Sequence, residues 1–129
     1  MSEEYPRIPI SSGIKALEAI GQYLWVKNDG SGNLVVCADA ADTPLGPTKT
    51  SIRAGQAGPV IKFGRWDSIV DADSAPIAVD DDLMLGADGK LIKYAADTGH
   101  KIVARALEAA DQDNQQIEVL VLERWVAPA

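Results

Sequence analysis

The residues of this chain that could take part in chemistry are a group of aspartates, one histidine and one cysteine. Six aspartates stand among the sixteen residues from Asp67 to Asp82, a segment without a basic residue. Carboxylate oxygens suit hard cations, and paired carboxylates can serve as acid and base in glycoside hydrolysis. Asp71 and Asp73 are, however, separated from the run Asp80–Asp82 by an apolar stretch that supplies no third type of ligand. We therefore predict neither a metal site nor a catalytic pair here.

The single histidine and the single cysteine do not form a recognisable catalytic motif. His100 stands in a polar loop with no nucleophile motif near it, so a triad is not supported. Cys37 lies in the apolar run Leu34–Ala38 and is predicted to be a buried small side chain. We expect no catalytic residue and no cofactor. A small hydrolase stays open as an alternative, provided that Asp71, Asp73 or His100 converge in one pocket.

The net charge of −7 is concentrated in the second half of the chain. Residues 1–62 carry six basic and six acidic side chains, whereas residues 63–129 carry six basic and thirteen acidic ones. Such a surface repels phosphate backbones, so nucleic acid is not an expected partner. No apolar run approaches the roughly 20 residues that span a bilayer, and the N-terminus is acidic where a signal peptide is basic. We expect a protein made in the cytoplasm, with no membrane partner.

Four short strands are predicted in the second half. They are Asp82–Gly86, Lys90–Tyr94, Ile102–Leu107 and Gln116–Glu123. The first two flank Asp88-Gly89, and an Asp-Gly step between apolar runs is a strong signal for a hairpin turn. Local propensity alone would favour a helix from Ile102 onward, but the neighbouring strands favour a strand. Leu107, Val119 and Val121 are expected to be buried.

An internal repeat connects the two halves of the chain. Ala40–Thr43 recurs as Ala95–Thr98, 55 residues later, and a hairpin-like unit precedes each copy. A loop and a closing apolar strand follow each copy. We interpret this as two pseudo-repeated β-units, about residues 23–63 and 83–122, with the same strand order and one shared core.

The first half contains two further predicted features. Residues 13–21 have apolar side chains at helical spacing, with Ser12 and Gly21 as caps, and are predicted to form the single short helix. Val60–Phe63 is predicted to be a strand that Gly64 breaks and that Trp66–Val70 resumes. The expected organisation is an extended arm, residues 1–12, and one β-domain, residues 13–129.

The N-terminal arm combines prolines with apolar residues. Pro6 and Pro9 exclude a regular helix and favour an extended course. Tyr5, Ile8 and Ile10 are apolar anchors that would suit docking on another surface, whereas a frayed terminus is the alternative.

The second half resembles a family of tailed-phage capsid decoration, or cement, proteins. The similarity lies in the hairpin of residues 81–85 and 87–90, the strand of residues 102–110 and the closing strand of residues 117–121, and it covers residues 76–122. The family pattern consists of small and apolar residues rather than a catalytic signature.

The resemblance implies an all-β fold, a small β-barrel or tulip-like body. It implies a non-enzymatic protein that assembles as a homotrimer on the outer surface of the virion, binds the major capsid protein and stabilises contacts between capsomers. The capsid-binding residues would then be in the arm, namely Tyr5, Arg7, Ile8 and Ile10. The alternative function is a ligand-binding or carbohydrate-binding β-module, for which Trp25, Trp66 and Trp125 would have to lie together on an exposed face.

Overall fold

The computed structural model describes residues 8–11 and 14–126, and they form an almost entirely β structure. The strands are β1 (Ile8–Ser11), β2 (Lys15–Ala16), β3 (Trp25–Asn28), β4 (Asn33–Val36), β5 (Gly46–Pro47), β6 (Pro59–Asp71), β7 (Asp82–Leu85), β8 (Leu91–Lys93), β9 (Ile102–Ala106) and β10 (Asp113–Val126). A single 3₁₀ turn spans Ala87–Gly89. Within the described ranges, no helix has the length and apolar character needed to cross a membrane.

The second half forms a closed five-stranded barrel. Its strands follow one another in the order β6-β10-β9-β7-β8, and a parallel contact between Val70 of β6 and Leu91 of β8 closes the ring. The β7–β8 hairpin turns through Asp88 and Gly89, whose φ values are 59° and 74°. These positive values are what the Asp-Gly signal predicts. The small β-barrel expected from the sequence is thus confirmed.

The first half has the same connectivity on a smaller scale. Its four-stranded sheet has the order β2-β4-β3-β5. An antiparallel bridge between Thr48 and Val60 connects the end of β5 to β6, and β1 pairs antiparallel with the other partner-forming edge of the same segment, with Ile10 opposite Val60. The closing segment of this unit is the first part of β6.

The strand pairings of the two units repeat at a nearly constant spacing. Val26 pairs with Val36 as Leu83 pairs with Lys93, 57 residues later, and the hairpins keep this spacing throughout. The bridge between Ile20 and Ile52 likewise recurs between Ile77 and Ala110. The predicted repeat of β-units is confirmed in its strand order. The Ala-Ala-Asp-Thr motif that revealed it is displaced within equivalent loops, because its 55-residue spacing differs from that of the strands.

Each unit has a hydrophobic core of its own. The smaller cluster contains Val26, Leu34 and Val60, and the larger contains Leu83, Leu91 and Val119 among others. The expectation of a single shared core is therefore wrong: Val60 and Ile61, successive residues of β6, contribute to different clusters. Successive side chains of a strand point to opposite faces, so one strand can supply both cores.

The strand β6 is continuous where the sequence predicted a break. Gly64 lies inside it with a φ of 108°, a conformation that residues with a side chain rarely adopt. At this residue the partner of β6 changes, since Phe63 pairs with Ile8 of β1 and Gly64 pairs with Val121 of β10. The glycine thus marks the transition between the two units without ending the strand.

The helix predicted over residues 13–21 is wrong for the part that the structure describes. Lys15 and Ala16 form β2, which pairs parallel with β4, and Ile20 forms a bridge to Ile52. Both partners are distant in sequence, so the tertiary pairing overrides the local helical spacing. The strand predicted from Ile102, in contrast, is confirmed as β9.

Two of the three residues expected in the core are fully buried. Val119 and Val121 are 0% and 2% exposed, whereas Leu107 is only half-buried. Leu107 follows the last residue of β9, and its backbone N–H donates to the carbonyl of Glu118. Its side chain therefore stands at the rim of the barrel.

Candidate interaction surface

The predicted arm is partly a strand of the body. Ile8 and Ile10 lie in β1, opposite Phe63 and Val60 of β6. Tyr5 and Arg7, the other two predicted contact residues, are outside the described residues. The extended conformation expected for the arm is therefore seen from Ile8 onward, where it is fixed by backbone pairing with β6.

The N-terminal segment and the last strand meet β6 at neighbouring residues. Ile8 pairs with Phe63, and Val121 pairs with Gly64, both in antiparallel orientation. Residues 1–7 thus join the body next to the point where β10 passes its last partner on β6. From there β10 continues to Val126, which pairs with Ile102 after a register shift.

The acidic segment is used to stabilise turns. The Asp71 carboxylate accepts a hydrogen bond from the backbone N–H of Asp73 at 3.2 Å. Asp81 accepts one from the backbone N–H of Ala78 at 2.8 Å and lies 3.6 Å from the ammonium of Lys93. These are local contacts typical of aspartates in turns. In residues 8–11 and 14–126, no group of three His, Cys, Asp or Glu side chains is placed to hold a metal ion.

His100 makes a contact within its own loop. Its Nδ1 lies 2.6 Å from the carbonyl oxygen of Ala95, and a carbonyl can only accept, so this ring nitrogen carries the proton. Asp71 and Asp73 follow β6 at the end paired with Asp113. The hydrogen bonds described for these three residues do not connect them with one another.

The three tryptophans do not share an exposed face. Trp25 is buried, and its indole N–H donates to the hydroxyl of Ser68 at 3.0 Å. Trp66 is half-buried, donates to the carbonyl of Thr48 at 3.2 Å, and has its ring centroid 5.8 Å from that of Tyr23. Trp125 alone is exposed. The arrangement required for the carbohydrate-binding alternative is thus missing.

Lys101 connects three parts of the molecule that are distant in sequence. Its ammonium donates to the carbonyl oxygens of Ala41 and Asp42, at 3.2 and 3.3 Å, in the first unit. It also lies 5.3 Å from the ring centroid of Trp125, within the range of a cation–π interaction. Sequence reasoning missed this contact, because neither residue belongs to a motif.

The loop that receives Lys101 is stabilised by a second lysine. Lys27 and Asp42 form an ion pair of 2.8 Å, and the same carboxylate accepts hydrogen bonds from the backbone N–H groups of Ala38 and Asp39. Burial raises the pKa of Asp42, but the hydrogen bond from Lys27 and those from the backbone outweigh it and hold that pKa below its usual range. The hydrogen bond to Asp42 raises the pKa of Lys27.

Cys37, next to this loop, is fully buried as the sequence predicted. Burial raises the pKa of its thiol to about 12. A thiol with such a pKa is protonated at neutral pH and is a poor nucleophile. The interpretation of Cys37 as a small apolar core residue therefore agrees with its environment.

Replacing Asp42 with asparagine is expected to lower stability at pH 7 by about 1–2 kcal/mol, because charge-assisted hydrogen bonds are lost. The folded pKa of Asp42 is depressed, so its contribution is fully present above the pKa of the unfolded chain, about 3.9. The contribution disappears as the pH falls through the lower folded value. Urea unfolding of the wild type and of Asp42→Asn at pH 7 and pH 2.5 measures this difference.

The matched control is Asp39→Asn, an exposed carboxylate of the same loop. We expect the stability gap between wild type and Asp42→Asn to shrink at the lower pH. A gap that stays constant with pH would show that shape and packing, rather than the charge of Asp42, stabilise this loop.

The sequence and the double-unit fold together define a structural protein of the phage head. The family model described as phage cement protein matches residues 21–121, more than three quarters of the chain. The chain therefore belongs to the phage cement protein family, which is structural. A search of curated protein sequences gives no significant match.

A solved structure supports the fold assignment. The chain is similar to the head fiber gp8.5 N base of bacteriophage phi29, with a TM-score of 0.66 and 18% sequence identity. The similarity covers 90% of this chain and 96% of that one. At this identity the comparison shows the fold alone, which here includes nearly the whole chain.

Proposed function

We propose that this protein is a non-enzymatic decoration protein that binds the outer surface of the phage head and stabilises contacts between capsomers. The family match over residues 21–121 is the observation that carries the proposal, since it includes parts of both β-units. The partner is the major capsid protein, and the protein acts as a homotrimer in the virion. Such a protein adds affinity between neighbouring subunits and needs no catalytic group.

The proposed contact residues are Tyr5, Arg7, Ile8 and Ile10. Support comes from the way the arm is attached: β1 is paired with β6, so residues 1–7 start from a fixed point on the body. A segment with prolines samples fewer conformations before binding and loses less entropy on docking. In a trimer, three such segments bind at a high effective concentration once the first has docked.

Deleting residues 1–7 is expected to weaken binding to undecorated shells severely while leaving the protein folded. The deletion ends before Ile8, because a longer one would also remove β1 and disturb β6. Each apolar anchor that is fully buried contributes about 1.5–3 kcal/mol, and three linked arms multiply the effect. Co-sedimentation of both proteins with undecorated shells measures occupancy, circular dichroism reports folding, and light scattering reports the oligomer.

A double variant, Ile8→Thr with Ile10→Thr, tests the two anchors within β1. Threonine favours strands as isoleucine does, so the pairing with β6 should persist while apolar area is lost. Equal occupancy of wild type, deletion and double variant would exclude the N-terminal segment as the contact. A wild type that does not sediment with shells at all would overturn the proposed function itself.

A further inference from the structure

Trp125 is distinctive among the exposed apolar side chains of the described residues. Three large apolar side chains are exposed there: Leu17 and Val79 by 56%, and Trp125 by 40%. Leu17 and Val79 lie in loops. Trp125 lies instead on β10, a strand whose backbone is paired within the body, and it is held beside the ammonium of Lys101. An aromatic ring fixed on a strand loses little side-chain entropy on binding, and tryptophan is enriched at the energetic centres of interfaces.

The position of Trp125 connects it with the N-terminal segment. Val121 pairs with Gly64 directly beside the pairing of Phe63 with Ile8. Trp125 follows four residues later on the same strand, and four residues of extended chain span at most about 14 Å. Residues 1–7 and Trp125 therefore lie within reach of the same partner surface.

The charge beside Trp125 indicates the chemistry of that surface. The second half of the chain carries thirteen acidic and six basic side chains, yet the group that contacts this ring is an ammonium. A lysine has three N–H groups, and the carbonyls of Ala41 and Asp42 accept two from Lys101. The third can donate to a carboxylate of a partner that also supplies an apolar pocket for the indole ring.

We propose that Trp125 and Lys101 form a second anchor for the phage head, adjacent to the N-terminal segment, and that they bind an apolar pocket bordered by carboxylates on the shell. This rests on the proposed function. The N-terminal segment and this anchor bind together, so the two contacts reinforce each other. A second copy of the chain, or the chain's own residues 1–7, are the competing occupants of this surface.

The experiment compares Trp125→Ala with Leu17→Ala, which removes an exposed apolar side chain elsewhere. Both variants and the wild type are titrated onto undecorated shells, with circular dichroism as the check on folding and light scattering as the check on the oligomer. We expect Trp125→Ala to weaken binding by about tenfold or more, the effect of one hot-spot residue, and Leu17→Ala to bind as the wild type does. Lys101→Gln should weaken binding and make it less dependent on salt.

Oxidative footprinting of the unmodified protein supplies a second readout that does not depend on how a variant folds. Trp125 is expected to be protected when the wild type is bound to shells, and Leu17 and Val79 are expected to stay reactive. In the free protein, deletion of residues 1–7 should leave the reactivity of Trp125 unchanged.

Each other outcome overturns this inference in a different way. Wild-type binding by Trp125→Ala, without protection of Trp125, removes the second anchor but leaves the proposed function intact. Dissociation of the oligomer by Trp125→Ala would assign the surface to a second copy. Higher reactivity of Trp125 after deletion of residues 1–7 would assign it to the chain's own N-terminal segment. Absence of any wild-type binding to shells would instead overturn the proposed function.

Discussion

Val119→Asp is expected to abolish folding. Val119 is fully buried in the centre of β10, between Trp66 of β6 and Ala106 of β9. A carboxylate at this position would lose its hydration without gaining a partner, which costs several kcal/mol. That cost is comparable with the entire stability of a small domain. Circular dichroism and urea unfolding of the purified protein should show no cooperative transition.

Val79→Asp is the matched control, because it makes the same substitution at a side chain that is 56% exposed. We expect it to unfold within about 0.5 kcal/mol of the wild type, as surface substitutions usually do. A cooperative transition of Val119→Asp near that of Val79→Asp would show that this face of β10 is not in the core.

Gly46→Ala is expected to have the second largest effect, a loss of about 3–5 kcal/mol through a backbone clash and an unfavourable conformation. A Cβ atom at Gly46 would lie 2.1 Å from the carbonyl oxygen of Ile61, and φ at this residue is 141°. The glycine thus allows β5 to approach β6, and this approach closes the first unit. Because the obstacle is backbone, no side-chain rotation can relieve it.

Gly30→Ala separates the clash from the conformational strain. Gly30 also has a positive φ, 89°, but an added Cβ would meet no atom within 4 Å. We expect Gly30→Ala to cost only about 1–2 kcal/mol, the penalty for a side chain in this region. Thermal unfolding of both variants measures the difference. Equal losses would mean that the contact between β5 and β6 adjusts without cost.

Features written in local signals were predictable from the sequence. The turn at Asp88-Gly89 requires positive φ at adjacent residues, and the dipeptide announces it directly. The burial of Val119 and Val121 follows from alternation in a strand. The second unit was also predictable through its resemblance to phage cement proteins, which lies in the same hairpin and closing strands.

Features that depend on distant partners were not predictable in this way. Residues 14–20 have helical spacing, but Ala16 and Ile20 pair with Leu34 and Ile52, so the chain is extended there. Gly64 reads locally as a break, whereas the change of partner from β1 to β10 keeps β6 continuous through it. No local pattern reports such an exchange.

The sequence by itself determined the β character of the chain, the repeat, the hairpins and the family, because each depends on neighbouring residues or on a pattern within one unit. Only the tertiary structure decided that each unit has its own core, that β1 joins β6 beside the end of its pairing with β10, and that Lys101 meets Trp125. These contacts join residues that are 24 to 60 positions or more apart in the case of Lys101, Trp125 and Ala41. Their formation depends on how the strands close around two cores, which no short stretch of sequence encodes.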